Sequence, residues 1–143
     1  EFVSKKDIKG CFEWMESEKL DDNQLLTATN ITRTGFPRDI LHPFILVIKY
    51  SSHLLKYVRH YILCLCKRHA SSELIALVLN WYRVIVMGTI FGPIFILDIR
   101  FKTLSNILKD METVLSQYQT DLEVVKGCVT MLRHLSESNC ILI

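Results

Sequence analysis

Little in this chain breaks a helix. Five glycines and three prolines among 143 residues leave few places for the tight hairpins that a many-stranded sheet requires, which points to helices. A surplus of one charge is missing as well. The 17 lysines and arginines stand against 15 aspartates and glutamates, a net charge of +2, too small to draw the protein to DNA or RNA. No nucleic-acid partner is expected. The first residues, EFVSKKDIKG, lack the apolar centre of a signal peptide. The last, NCILI, follow no apolar stretch of anchor length, and CILI carries isoleucine where a prenylation box is poorly served by it. Long apolar runs are also absent. The longest, Val84 to Leu97, is 14 residues, short of the roughly 20 that cross a bilayer, and it reads as a buried core helix. Nor is there a glycine-rich phosphate loop, a His-Glu-x-x-His pair, or a Ser or Cys nucleophile beside an evident base. The chain is therefore expected to be no enzyme, with no cofactor and no metal.

What is present is apolar. Half the residues are hydrophobic and the mean hydropathy is +0.24, so much of the chain must be buried. Its length suits a single domain over residues 1–143. Five cysteines, Cys11, Cys64, Cys66, Cys128 and Cys140, are odd in number. Most fall in apolar-periodic segments where a thiol behaves as a small hydrophobe, which points to a reduced, intracellular setting.

Periodicity lays out the helices. Ile8, Cys11, Phe12 and Met15 predict an amphipathic helix over about 3–20. DDNQLLTATNITRTGFPRD then has the composition of a loop. A helix over about 40–68 carries Ile45, Ile48, Leu55, Ile62 and Leu65 and ends in Lys67, Arg68 and His69, the charge that a helix C-terminus favours. His53, Lys56, Arg59 and His60 read as its solvated basic face, and Cys64 and Cys66 as packing residues. Ser71 or Ser72 caps the next helix, with Glu73 in its first turn. The helix over Val84 to Leu97 is apolar on all sides, must be enclosed by neighbours, and is kinked or ended at Gly92-Pro93. Phe101, Leu104, Leu108, Met111, Leu115 and Tyr118 form the next stripe, and Leu122, Val125, Val129 and Leu132 that of a last helix over about 121–135. Together these predict an all-α orthogonal bundle around a central hydrophobic hairpin.

One stretch carries more than packing. Asn80, Trp81 and Arg83 are expected at a helix junction, just ahead of the apolar run. Arg83 there could pair with Glu73 or Asp98, or extend its charge to water from a helix end. ELIALVLNWYRVIVMGTIFG resembles the Bcl-2 homology 1 motif, whose usual form is Asn-Trp-Gly-Arg followed by an apolar central helix; Tyr82 stands where that family has glycine. Upstream, ILVIKYSSHLLKY resembles a BH3 helix, with Ile48, Ser52 and Leu55 in register and His53 in place of the usual aspartate. Downstream, TVLSQYQTDLEVVKGCVTML resembles the approach to the homology 2 motif, with Gly127-Cys128 all that remains of its Gly-Gly-Trp. The loose motifs most resemble a divergent viral member of the Bcl-2 family.

The resemblance implies a Bcl-2-like bundle that inhibits apoptosis by sequestering pro-apoptotic BH3 ligands in a hydrophobic surface groove. It implies a setting in the host cytoplasm and at the mitochondrial outer membrane, with membrane association open although this chain is expected to carry no anchor. Arg83 would meet the ligand carboxylate, Asn80 would hydrogen-bond beside it, and Leu55, Val58, Ile62, Leu74, Ile85 and Val86 would wall the groove. Tyr82 would narrow that groove and restrict the set of ligands. An empty groove would also favour a homodimer. Two other readings remain: a generic all-α protein-protein interaction module, such as a helical-repeat fragment, and a fragment of an integral membrane protein.

Overall fold

The computed structural model describes residues 8–17, 19–35, 44–90 and 97–139. Among them the protein is all helical, with α1 (Ile8–Ser17), α2 (Asp22–Gly35), α3 (Phe44–Lys67), α4 (Ser72–Ile90), α5 (Leu97–Gln117) and α6 (Leu122–Asn139) and no strand. The Gly92-Pro93 pair, residues 36–43 and the CILI terminus lie outside the described residues.

In α1 the periodic side chains Cys11, Phe12 and Met15 are buried. Phe12 stacks on Trp81 at 5.5 Å and on Tyr57 at 6.0 Å and meets the edge of Tyr61 at 5.7 Å. One ring thus ties α1 to α3 and α4, with offset and edge-on geometries that suit the ring quadrupoles.

The segment expected to be a loop is the helix α2. Its start is a reciprocal cap: Gln24 N–H donates to Asp21 Oδ1 at 2.8 Å and Asp21 N–H donates to Gln24 Oε1 at 2.9 Å. Leu25, Thr29 and Thr32 repeat at helical spacing and are buried, although two of them are polar. Their hydroxyls are satisfied internally. Thr29 Oγ1 lies 2.7 Å from the Tyr61 hydroxyl, and Thr32 Oγ1 donates to Ala28 O at 2.9 Å. Burial pushes the Tyr61 phenol up to about 12, so it stays a neutral hydroxyl. Hydrogen bonding, which a hydropathy pattern does not register, lets a threonine stripe act as a core face.

Between α3 and α4 the chain turns on a Schellman motif. Ala70 N–H donates to Leu65 O at 3.0 Å and His69 N–H to Cys66 O at 3.1 Å, with His69 in the left-handed region at φ 55°. Gln117 of α5 holds this turn by donating Nε2 to Cys66 O at 2.7 Å. Ser71 then caps α4, its Oγ accepting from Leu74 N–H at 3.4 Å.

One expectation about the architecture is corrected: α4 runs unbroken from Ser72 to Ile90, so Asn80 to Arg83 sit inside a helix rather than at a junction. Helix α3 packs on α1, α4 and α5, while α4 packs on α2, α3 and α6. Of the apolar run from Val84, Ile85 and Val86 are buried and Val84 is half-buried; the side chains from Met87 onward lie outside the described residues.

In α5 Leu104 and Met111 are buried as expected and Leu115 and Tyr118 pack against the core, joined by Ile107 and Val114, while Leu108 is exposed. The α6 stripe is rotated relative to expectation. Helix α6 buries Val124, Cys128, Met131 and Leu135, leaving Leu122 and Val129 exposed. Both α6 stripes have apolar helical spacing, so periodicity alone does not choose between them. Glycine helps to fix the choice: a Cβ on Gly127 would lie 2.7 Å from Leu79 Cδ2, and its absence lets α4 and α6 approach on that side.

Candidate functional site

Residues 80 to 83 divide between two faces of α4. Trp81 and Tyr82 are buried, Asn80 is exposed and Arg83 half-buried. Successive helical residues are turned about 100° from one another, so a four-residue stretch necessarily spans core and surface.

On the inner face, the Tyr82 hydroxyl donates to Asp110 Oδ2 at 2.5 Å and Arg59 Nε donates to the same oxygen at 2.6 Å. The Asp110 side chain is only 2% exposed and that of Arg59 34%. This knot joins α3, α4 and α5. Burial raises the Asp110 carboxyl above the ordinary range, against the opposing pull of the Tyr82 and Arg59 hydrogen bonds. Tyr82 is raised strongly by burial and by the carboxylate beside it. Arg59, expected on a solvated basic face, belongs to a partly buried ion pair, and Tyr82, expected to narrow a groove, has its ring in the core and its hydroxyl committed to Asp110. His60 does lie at the surface, with Nδ1 3.0 Å from Glu16 Oε2; the His53 side chain is outside the described residues.

On the outer face, Arg83 Nη2 donates to Asn80 Oδ1 at 2.8 Å. Glu73 is not its partner, and no carboxylate among the described residues lies within 4 Å of its guanidinium. The pair borders a cleft of about 290 Å³ between α4 and α6, lined by Ala76, Leu79, Asn80, Arg83, Glu123, Lys126, Gly127 and Thr130. Its lining carries two cations and one anion. Asn80 fixes one guanidinium nitrogen and leaves the remaining donors of the planar fork available to an acceptor.

The residues expected to wall the groove lie in the core. Leu55, Val58, Ile62, Leu74, Ile85 and Val86 all belong to the buried core cluster, none more than 7% exposed. In this conformation they pack on one another rather than line an open surface. The BH3-like positions Ile48 and Ser52 fall on α3, but their side chains lie outside the described residues.

Asp110, Glu123, Lys126 and Gly127 were not singled out as site residues from sequence. Asp110 had a readable signal, an acid at a buried helical position between Ile107 and Met111. The cleft had none, because it arises only where α6 meets α4. Burial raises the thiols of Cys66 and Cys128 to about 11 each, which keeps them protonated at neutral pH. Among the described residues no group of three or more His, Cys, Asp or Glu side chains could hold a metal ion, and no helix is long and apolar enough to cross a membrane. In comparison with known proteins, the chain matches no family model, no curated protein and no solved structure.

Proposed function

We propose that this protein is a non-enzymatic, Bcl-2-like inhibitor of apoptosis that binds the amphipathic helix of a pro-apoptotic BH3 partner, with Arg83 as the polar anchor. The supporting observation is the Asn80–Arg83 pair: an oriented guanidinium at the edge of a cleft, on a helix whose sequence resembles the family's ligand-binding motif. A ligand carboxylate reaching Arg83 would form a charge-assisted hydrogen bond in a partly desolvated site, contributing about 1.5–3 kcal/mol. Ala76 and Leu79 supply apolar contact beside it.

The cleft limits how a ligand enters. At about 290 Å³ it takes inserted side chains rather than an entire helix of roughly 10–12 Å diameter. A BH3 helix would lie across α4 and α6 and insert its carboxylate and a small apolar residue, or else part α6 from α4. Burial of the six expected wall residues favours a second reading, a generic helical interaction module in which Trp81 and Tyr82 serve only the core.

A panel of BH3 peptides titrated against the parent and Arg83→Glu separates the two. Saturable binding to the parent that weakens about tenfold or more in the variant supports the proposal. Absence of saturable binding across the panel, or equal binding by both proteins, favours the generic module.

A further inference from the structure

Three of the five exposed large hydrophobic side chains among the described residues lie on one hairpin: Leu108 at 50%, Leu122 at 70% and Val129 at 54%. They belong to a pattern. Leu122, Val125, Val129 and Leu132 follow one another along a single side of α6, roughly 110° around the helix from its buried stripe. Val125 and Leu132 are half-buried. A short turn connects α5 to α6, with Asp121 N–H donating to Tyr118 O at 3.0 Å, and the two helices pack together. Leu108 and Leu115 lie roughly 140–160° around α5 from Asp110. Since the Asp110 carboxylate turns to α3 and α4, this leucine flank lies on the side of α5 away from that knot, on a helix that packs on α6.

Charge indicates what the stripe would accept. Lys126 and Arg133, seven residues apart, edge it on the side away from α5; both are exposed, and neither has a carboxylate within 4 Å among the described residues. The α5 edge carries Lys109 and Glu112, one charge of each sign, so the preference is set by α6. A second copy laid antiparallel along α6 would bring Lys126 against Arg133 of its mate, and like charges in contact oppose that pairing. A helix with acidic edges would meet the same two cations with favourable sign.

We propose that the outer face of the α5–α6 hairpin docks an amphipathic helix of another protein whose apolar stripe is edged by Asp and Glu. Leucines or similar side chains of that helix cover Leu108, Leu122 and Val129, while its carboxylates meet Lys126 and Arg133. This face lies on the other side of α6 from the Arg83 cleft, so it does not depend on the BH3 reading. Lys126 borders both surfaces and is left unchanged in the test for that reason.

Two designed helical peptides with identical leucine stripes, one edged with Glu and one with Lys, are titrated by fluorescence anisotropy against the parent, Val129→Glu and Arg133→Glu. The parent should bind the Glu-edged peptide about tenfold tighter than the Lys-edged one, and added salt should narrow that gap. Val129→Glu should abolish binding with an unchanged circular dichroism spectrum, and Arg133→Glu should shrink the preference between peptides. Equal affinity for both peptides, or no saturable binding of either, overturns the proposal. Sedimentation showing a parent dimer that Val129→Glu converts to monomer assigns the face to a second copy and overturns it as well.

Discussion

Tyr82 and Arg83 are neighbours in sequence and opposites in circumstance. The tyrosine is completely buried and its hydroxyl is held by Asp110, whereas the arginine is half-buried and donates to the neutral side chain of Asn80. A polar group in the core must be satisfied by the fold itself, and its removal is felt as lost stability. A cation at a cleft edge is kept in part by water, so its removal costs the fold little and a ligand much. Stability and binding should therefore separate between adjacent positions of one helix.

The largest effect is expected at Tyr82. Replacement by alanine removes a wholly buried ring and should cost about 3–5 kcal/mol, a large fraction of a typical stability of about 5–15 kcal/mol. Chemical denaturation would show this as a lower midpoint; a midpoint close to the parent's would place the ring outside the core. Replacement by glycine should be worse by about 1 kcal/mol from helix propensity, so it should unfold the protein rather than widen its choice of ligands.

Asp110→Ala comes next. It strands the Tyr82 hydroxyl and the Arg59 guanidinium, and because Arg59 is partly hydrated the expected loss is about 2–3 kcal/mol rather than the full cost of breaking a wholly buried pair. The same carboxyl sets a pH dependence of unusual sign. Its folded-state pKa is raised by burial, so the native state binds the proton more readily than the unfolded chain does. Its contribution is greatest below the unfolded value and is lost as pH rises through the folded one. Denaturation midpoints of the parent measured upward from the ordinary carboxylate range should include this declining contribution, and Asp110→Asn should remove it. An identical pH profile for the two proteins would contradict the assignment.

Gly127→Ala should cost about 1 kcal/mol. The new methyl group would crowd Leu79 at the contact between α4 and α6, an overpacking of about 1–3 kcal/mol, offset by about 1 kcal/mol gained in helix propensity. A thermal midpoint above the parent's would show that Leu79 yields freely. The smallest effect on stability belongs to Arg83→Glu, within about 0.5 kcal/mol, although it reverses a charge that lines the cleft.

The comparison also shows what a linear pattern conveys. Helices with one dominant apolar stripe were legible: Cys11, Phe12 and Met15 announce α1, and Leu55, Ile62 and Leu65 announce α3. Helix α2 was hidden because its buried face includes Thr29 and Thr32, whose burial depends on hydrogen bonds within the helix and across to Tyr61. The buried face of α6 was ambiguous because two apolar stripes compete, and the contact of Leu79 with Gly127 is absent from any one-dimensional pattern. At the candidate site, the polarity of Arg83 marked a residue that borders a cleft. The inward turn of Tyr82 was not readable, since its partners Arg59 and Asp110 are 23 positions before and 28 after it in the chain. The same distance kept Arg59 looking like a surface cation.

The most direct test of the functional account is a double-mutant cycle between Arg83 and the carboxylate of a BH3 peptide. The parent and Arg83→Ala are each titrated with the native peptide and with a peptide whose conserved aspartate is replaced by alanine. Direct pairing at the cleft predicts that the two losses are not additive, with a coupling of about 1.5–3 kcal/mol. Additive losses, or native peptide binding with equal affinity to both proteins, would contradict the claim that Arg83 anchors the ligand.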